Sequence, residues 1–99
     1  MPAYVINDMD VTDPQLLEEY KKLSPATIEK YGGRFLARGG RIETVEGDWS
    51  PRRLVILEFA SVERARAWIE SPEYAPARRL RQQASRSRMI LVEGLEPPP

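Results

Sequence analysis

The sequence predicts a ferredoxin-like α+β domain: element order β-α-β-β-α-β, a four-stranded antiparallel sheet, and helices on one face. Three observations carry this. Four short segments, near residues 3–9, 34–46, 52–59 and 88–94, are rich in β-formers. Between them, apolar residues recur at helical spacing, as in Leu16, Tyr20, Leu23 and Thr27. Finally, 99 residues leave room for one domain, and 41% hydrophobic against 30% charged residues is an ordinary globular balance. The domain is expected over 1–94, with 95–99, "LEPPP", as a tail that cannot continue a sheet.

"AYVINDM" is the first strand. "VTDPQ" then starts a helix: Thr12 or Asp13 can cap it, Pro14 suits the first turn, and Gln15 completes a capping box with Thr12. Pro25 predicts a kink or a break, and Gly32-Gly33 ends the helix. Strand residues follow from Arg34 to about Glu46 and from Arg52 to Phe59, with turn chemistry in "GDWSP" between them. Ser61 caps a helix holding Val62, Ala65, Trp68 and Ile69. Ser71-Pro72 ends that helix and caps a third, with Tyr74, Ala77, Leu80 or Arg81, and Ala84 on one side. "RMILVEG" is the last strand.

Arg38-Gly39-Gly40-Arg41 has three readings. A phosphate loop joins a strand to a helix N-terminus, but here "RIETVE" follows and alternates like a strand. An RGG nucleic-acid tract is repetitive, and this is a single copy. Punctuation within β structure remains, either as a two-residue hairpin turn or as a bulge in one long strand. The bulge is favoured. Folding 41–46 back on 53–58 pairs Glu46 with Arg53, Val45 with Leu54, Ile42 with Leu57 and Arg41 with Glu58, while a one-residue slip pairs Glu46 with Arg52 and Ile42 with Ile56.

Composition excludes several chemistries. There is no Cys and no His. A disulfide framework, a thiol nucleophile, a Ser-His-Asp triad and an imidazole metal or haem ligand are therefore ruled out. Acid–base work would fall to carboxylates, tyrosines, and Lys21, Lys22 and Lys30. Fifteen basic and fifteen acidic residues give no net field toward nucleic acid or an anionic membrane. No apolar run has the length to cross a bilayer, and "MPAYVIND" is no signal peptide, so a cytoplasmic protein is expected. Neither a metal nor a cofactor is expected.

"LVILEF" is apolar on both phases: Val55, Leu57 and Phe59 on one, Leu54 and Ile56 with Glu58 on the other. The last strand behaves alike, with Ile90 and Val92 as the purely apolar phase and Met89, Leu91 and Glu93 as the other. The cleaner phase of each is expected under the helices. The second would be exposed in a monomer, where a half-solvated antiparallel strand shows polar residues. A homodimer packed sheet to sheet is expected.

"GGRFLARGG", "VEGDW", "RLVILEF" and "AWIESPEYAPARRLR" resemble a bacterial family without assigned activity, the domain of unknown function 1330 family. The resemblance spans Tyr4 to Gly94. It implies a protomer of the dimeric α+β barrel superfamily, in which two sheets close a barrel. That superfamily includes cofactor-independent monooxygenases, haem-degrading enzymes, muconolactone isomerase-like proteins and stress-related barrels. The absence of His argues against a histidine-ligated haem member.

Such barrels carry a small cleft between helices and sheet. Trp68, Tyr74 and Tyr20 either line it or form plain core. Trp49 lids a pocket or docks on the dimer partner. Glu58 is the candidate general base, with Tyr74 as the other proton carrier; alternatively Glu58 pairs with Arg41 or Arg38. Arg38 is the candidate anchor for a substrate carboxylate. Arg79 and Arg81 either close an anion pocket or form a solvated face. Ser71 has no base beside it and is a helix cap. Two function classes follow. One is a small-molecule-binding protein or cofactor-independent enzyme (oxygenase- or isomerase-like) on a small metabolite. The other is a non-catalytic barrel for ligand sensing, stress response or protein interaction. A solvated Glu58 locked to arginine would favour the second class; a desolvated Glu58 facing a cavity would favour the first.

Overall fold

The structure, a computed structural model, describes residues 1–96. The elements run β1 (Ala3–Val11), α1 (Pro14–Lys30), β2 (Arg34–Arg38), β3 (Arg53–Phe59), α2 (Val62–Ile69), α3 (Ala75–Ala84) and β4 (Ser85–Glu93). The sheet has the order β2-β3-β1-β4 with every neighbouring pair antiparallel. This is the expected ferredoxin-like arrangement. Of the expected tail, residues 95 and 96 are irregular and exposed, and 97–99 lie outside the described residues.

The caps follow the sequence. Asp13 Oδ1 accepts from Leu16 N at 3.2 Å, and Ser61 Oγ accepts from Arg64 N at 3.1 Å. Gly32, at φ +77°, closes α1. Ser71 is not the N-cap of α3, which is Tyr74; it is buried in the turn ahead of that helix, where Oγ donates to Trp68 O and accepts from Tyr74 N. The expected break at Pro25 does not occur: α1 runs unbroken through it. A proline has no N–H for the carbonyl four residues back, which here is Lys21 O. Arg38 Nη2 donates to that oxygen at 3.4 Å, so a side chain from the sheet takes the lost bond's place.

One face of the sheet carries Ala3, Val5, Asn7 and Met9 of β1 with Val55, Leu57 and Phe59 of β3. The helices lie over this face, and Ile28, Ala65, Trp68, Tyr74 and Ala77 complete the main core. A smaller cluster joins Met9, Leu17 and Ala84. The Cα atoms fill a slab of 44 × 38 × 16 Å, thick enough for one helical layer on one sheet. The other sheet face therefore carries no helix, only the 40–52 connection through Trp49. It shows half-buried Tyr4, Ile6, Leu54 and Ile56, with Ile90 59% and Val92 42% exposed.

Two strand expectations are overturned. In β4 the inward phase is Met89 and Leu91, packed on the core, while Ile90 and Val92 point outward. Register explains it: Leu91 sits opposite Val5 and Met89 opposite Asn7, which fixes the phase regardless of which set is more apolar. The Gly39-Gly40 reading also fails in both forms. β2 ends at Arg38, and the residues that pair with β3 are 34–38, not 41–46. Arg34 faces Glu58, Phe35 faces Leu57 and Arg38 faces Val55, with the irregularity at Leu36. Residues 40–52 form an irregular connection. Gly39 ends the ladder with N–H to Leu54 O at 3.0 Å and φ +67°. The Arg53 guanidinium lies where a Cβ on Gly39 would stand, so the position needs glycine for both its backbone and its neighbour.

Candidate functional site

A cavity opens between α1 and the inner sheet face. Its cavity volume is about 20 Å³, room for a single water. With the open solvent at its mouth included, the depression is about 420 Å³, so a ligand larger than a water would have to widen the inner space or sit toward the mouth. Val5, Val55, Leu57 and Met89 form the floor, Tyr20, Ser24 and Ile28 the α1 wall, and Phe35 and Trp68 the sides. Lys21, Arg38 and Arg53 also line it; among the described residues no Asp or Glu does. Lys21 carries an exposed partner, Glu18, at 3.0 Å, and Arg38 sits 4.5 Å from the Phe35 ring centroid.

Two buried polar atoms on the cavity lining have no partner: Asn7 Oδ1 and Arg53 Nε. Asn7 is only 4% exposed. Leaving one such group unpaired costs about 1–3 kcal/mol, which needs a reason. β1 places Asn7 on the inward phase between Val5 and Met9, where an apolar residue would be the stable choice.

Behind the cavity stands an aromatic stack. Trp68 and Tyr74 lie 4.1 Å apart at their centroids, and Phe59 and Trp68 lie 5.5 Å apart. Trp68 Nε1 donates to Thr27 Oγ1 at 3.0 Å, and Thr27 Oγ1 donates to Ser24 O at 2.7 Å. Tyr20 and Tyr74 share a hydroxyl bond of 3.0 Å, and Arg81 Nε donates to Tyr74 Oη at 3.2 Å. Burial pushes the Tyr20 phenol well above its ordinary value, and the adjacent Tyr74 adds to the effect while Arg81 opposes it. Tyr20 is therefore a neutral phenol at any physiological pH.

The expected site residues divide into two groups. Tyr20, Trp68 and Arg38 line the cavity, and Tyr74 supports it from behind. Glu58 and Trp49 are not part of it. Glu58 lies on the outer sheet phase and takes Arg34 Nε at 2.7 Å, rather than pairing with Arg38 or Arg41. The slip arises because 34–38, not 41–46, pairs with β3. Trp49 also lies against the outer face, where Nε1 donates to Asp8 Oδ2 at 3.0 Å. Arg88 Nη2 reaches the same oxygen at 2.8 Å, and Asp8 Oδ1 is buried without a partner. Arg81 is not part of a solvated face: it is 7% exposed and held on Tyr74, whereas Arg79 is exposed.

Sequence reasoning missed Asn7, Lys21 and Arg53. Asn7 left a readable signal, a polar residue on the apolar phase Ala3-Val5-Asn7-Met9. Lys21 and Arg53 left none, since each is one cation among many. Among the described residues, no three His, Cys, Asp or Glu side chains gather to hold a metal. No helix there is long and apolar enough to cross a membrane.

Solved structures share this fold. A protein of unknown function from Rhodopseudomonas palustris, RPA0582, is 24% identical over 97% of this chain and 84% of its own, with a TM-score of 0.73. SnoaB, a cofactor-independent oxygenase from Streptomyces nogalater, is 17% identical over 99% of this chain and 97% of its own, with a TM-score of 0.69. A dimeric protein of unknown function and ferredoxin-like fold from Bacteroides fragilis is 13% identical over 94% and 96%, with a TM-score of 0.64. Among curated proteins none matches. One family model matches residues 2–95, almost the whole of the described chain, and the chain belongs to that family, the domain of unknown function DUF1330.

Proposed function

We propose that the chain binds a small, mainly apolar anion in the helix–sheet cavity and acts as a homodimer. The observation that carries the ligand class is the charge pattern: Lys21, Arg38 and Arg53 stand around an apolar, aromatic-walled space that no carboxylate lines. Lys21 keeps its surface pair with Glu18, whereas Arg38 and Arg53 have no carboxylate partner among the described residues, and such cations attract anions. The outer sheet face, which carries no helix and leaves Ile90 and Val92 exposed, supports burial against a second copy. The dimeric relative from Bacteroides fragilis supports the same assembly.

Binding without chemistry is the reading favoured here. Glu58, the expected base, is locked to Arg34 on the far side of the sheet. Tyr20 holds its proton too firmly to pass it on. The likeness to SnoaB supports a second reading, cofactor-independent oxygenation of a substrate acidic enough to ionise without a side-chain base.

The test is an NMR titration of methyl-labelled protein with benzoate, using benzamide as the neutral control. Benzoate is expected to shift the methyls of Val5, Val55, Leu57 and Met89 while benzamide leaves them in place. Equal responses to both, or none, would remove the anion reading. Native mass spectrometry of the same sample is expected to show a dimer.

A further inference from the structure

The two orphaned polar atoms narrow the ligand. Asn7 Oδ1 is an acceptor lacking a donor, and Arg53 Nε is a donor lacking an acceptor. Both line the one cavity. Asn7 pairs with Val55 and Met9 with Arg53, so Asn7 and Arg53 are diagonal neighbours on one sheet face. Such neighbours lie about 7–8 Å apart along the backbone, and their unmet groups are of opposite kind. A ligand that satisfies both must give a hydrogen bond at one point and receive one at another. A plain carboxylate meets only the second need.

We propose that the physiological ligand is an aromatic hydroxy acid, with a ring hydroxyl that donates to Asn7 Oδ1 and a carboxylate that accepts from Arg53 Nε. This rests on the anion-binding reading above and adds the hydroxyl to it. The orientation follows from position. Asn7 is in the middle of β1, under the helices, whereas Arg53 begins β3 beside Arg38 and Gly39, at the cationic end. The carboxylate stays with the cations and the hydroxyl points inward. Phe35 and Trp68 line the same cavity, and a ring entering beside them must widen a space that holds about one water. Arg53 is held for this task, because its terminal nitrogen rests against Gly39, leaving the Nε edge turned to the interior. A site built to meet a hydroxyl rejects analogues without one more sharply than apolar fit alone allows.

The experiment compares 3-hydroxybenzoate, benzoate and 3-methoxybenzoate by the same methyl titration. The 3-isomer is chosen because its hydroxyl cannot bond its own carboxylate. We expect 3-hydroxybenzoate to bind about tenfold more tightly than benzoate, and 3-methoxybenzoate, which has no donor, no more tightly than benzoate. In Asn7→Leu the preference for the hydroxyl is expected to fall to about one. Arg53→Lys, which keeps the charge but loses the Nε edge, is expected to weaken 3-hydroxybenzoate several-fold. Benzoate and 3-hydroxybenzoate binding equally at the cavity methyls would overturn the hydroxyl assignment and leave the anion reading standing. Silence of the cavity methyls toward all three would overturn both. A preference that survives Asn7→Leu would remove Asn7 as the hydroxyl's partner.

Discussion

Tyr20 and Tyr74 meet edge to face, with ring centroids 6.4 Å apart and hydroxyls 3.0 Å apart, across 54 residues of sequence. This contact pins α1 to the turn ahead of α3 and takes much of the Tyr20 phenol out of water. The folded chain therefore keeps the Tyr20 proton at pH values where the unfolded chain has released it. Below about pH 10 both states hold the proton and the contribution is constant. Above it the folded state binds more protons, so stability falls as pH rises, by at most about 1.4 kcal/mol per pH unit for this group. Urea unfolding between pH 9 and 11 is expected to show a steeper loss in the wild type than in Tyr20→Phe. Parallel losses would mean that Tyr20 titrates as an ordinary tyrosine.

Gly33 is a packing requirement. A Cβ there would come within 2.5 Å of the Phe59 ring and 2.9 Å of Ile28 Cγ2, and both neighbours are buried core. Gly33→Ala is expected to cost about 1–3 kcal/mol through overpacking. For a chain near this size each kcal/mol lowers Tm by about 4–8 °C, which differential scanning calorimetry resolves. An unshifted melting curve would show that the ring and Ile28 move aside freely.

Glu58→Gln separates the two sheet faces. The side chain is 25% exposed and paired with an Arg34 that is 70% exposed, so the pair contributes less than about 1 kcal/mol. Benzoate affinity is expected to stay within twofold of wild type in this variant, since Glu58 is on the opposite face from the cavity. A large loss of affinity would bring Glu58 back into the ligand site.

Ile90→Glu tests the proposed assembly. Ile90 is 59% exposed in the protomer, so the change should leave the fold intact. In a two-fold dimer closed over the outer face it introduces two buried like charges. Light scattering is expected to report a dimer for the wild type and a monomer for the variant. A variant still dimeric at micromolar concentration would place the interface elsewhere.

Much of the fold was legible because local chemistry and packing agree in it. Asp13 and Ser61 cap where short polar side chains should, Gly32 takes the left-handed turn, and Val55, Leu57 and Phe59 sit under the helices. What escaped depended on partners distant in sequence. Nothing near Gly39 says that Arg53 will lie against it. The phase of β4 is set by pairing with β1, not by its own apolarity. The site was half legible for the same reason. Tyr20, Trp68 and Arg38 were flagged by residue type and brought together by the fold. Glu58 looked buried because its strand is apolar on both phases, and only the register of β2 shows which face it joins.

The proline inside α1 has a further consequence. Arg38, which replaces Pro25's absent N–H at the Lys21 carbonyl, is also a cation of the cavity. One guanidinium thus divides its attention between the helix backbone and any incoming anion. A ligand that drew Arg38 toward itself would leave the Lys21 carbonyl to water, at the turn where Pro25 already withholds a hydrogen bond. If the proposed anion binds beside Arg38, the chemical shift of the Lys21 carbonyl carbon is expected to follow its binding, without any label on the ligand.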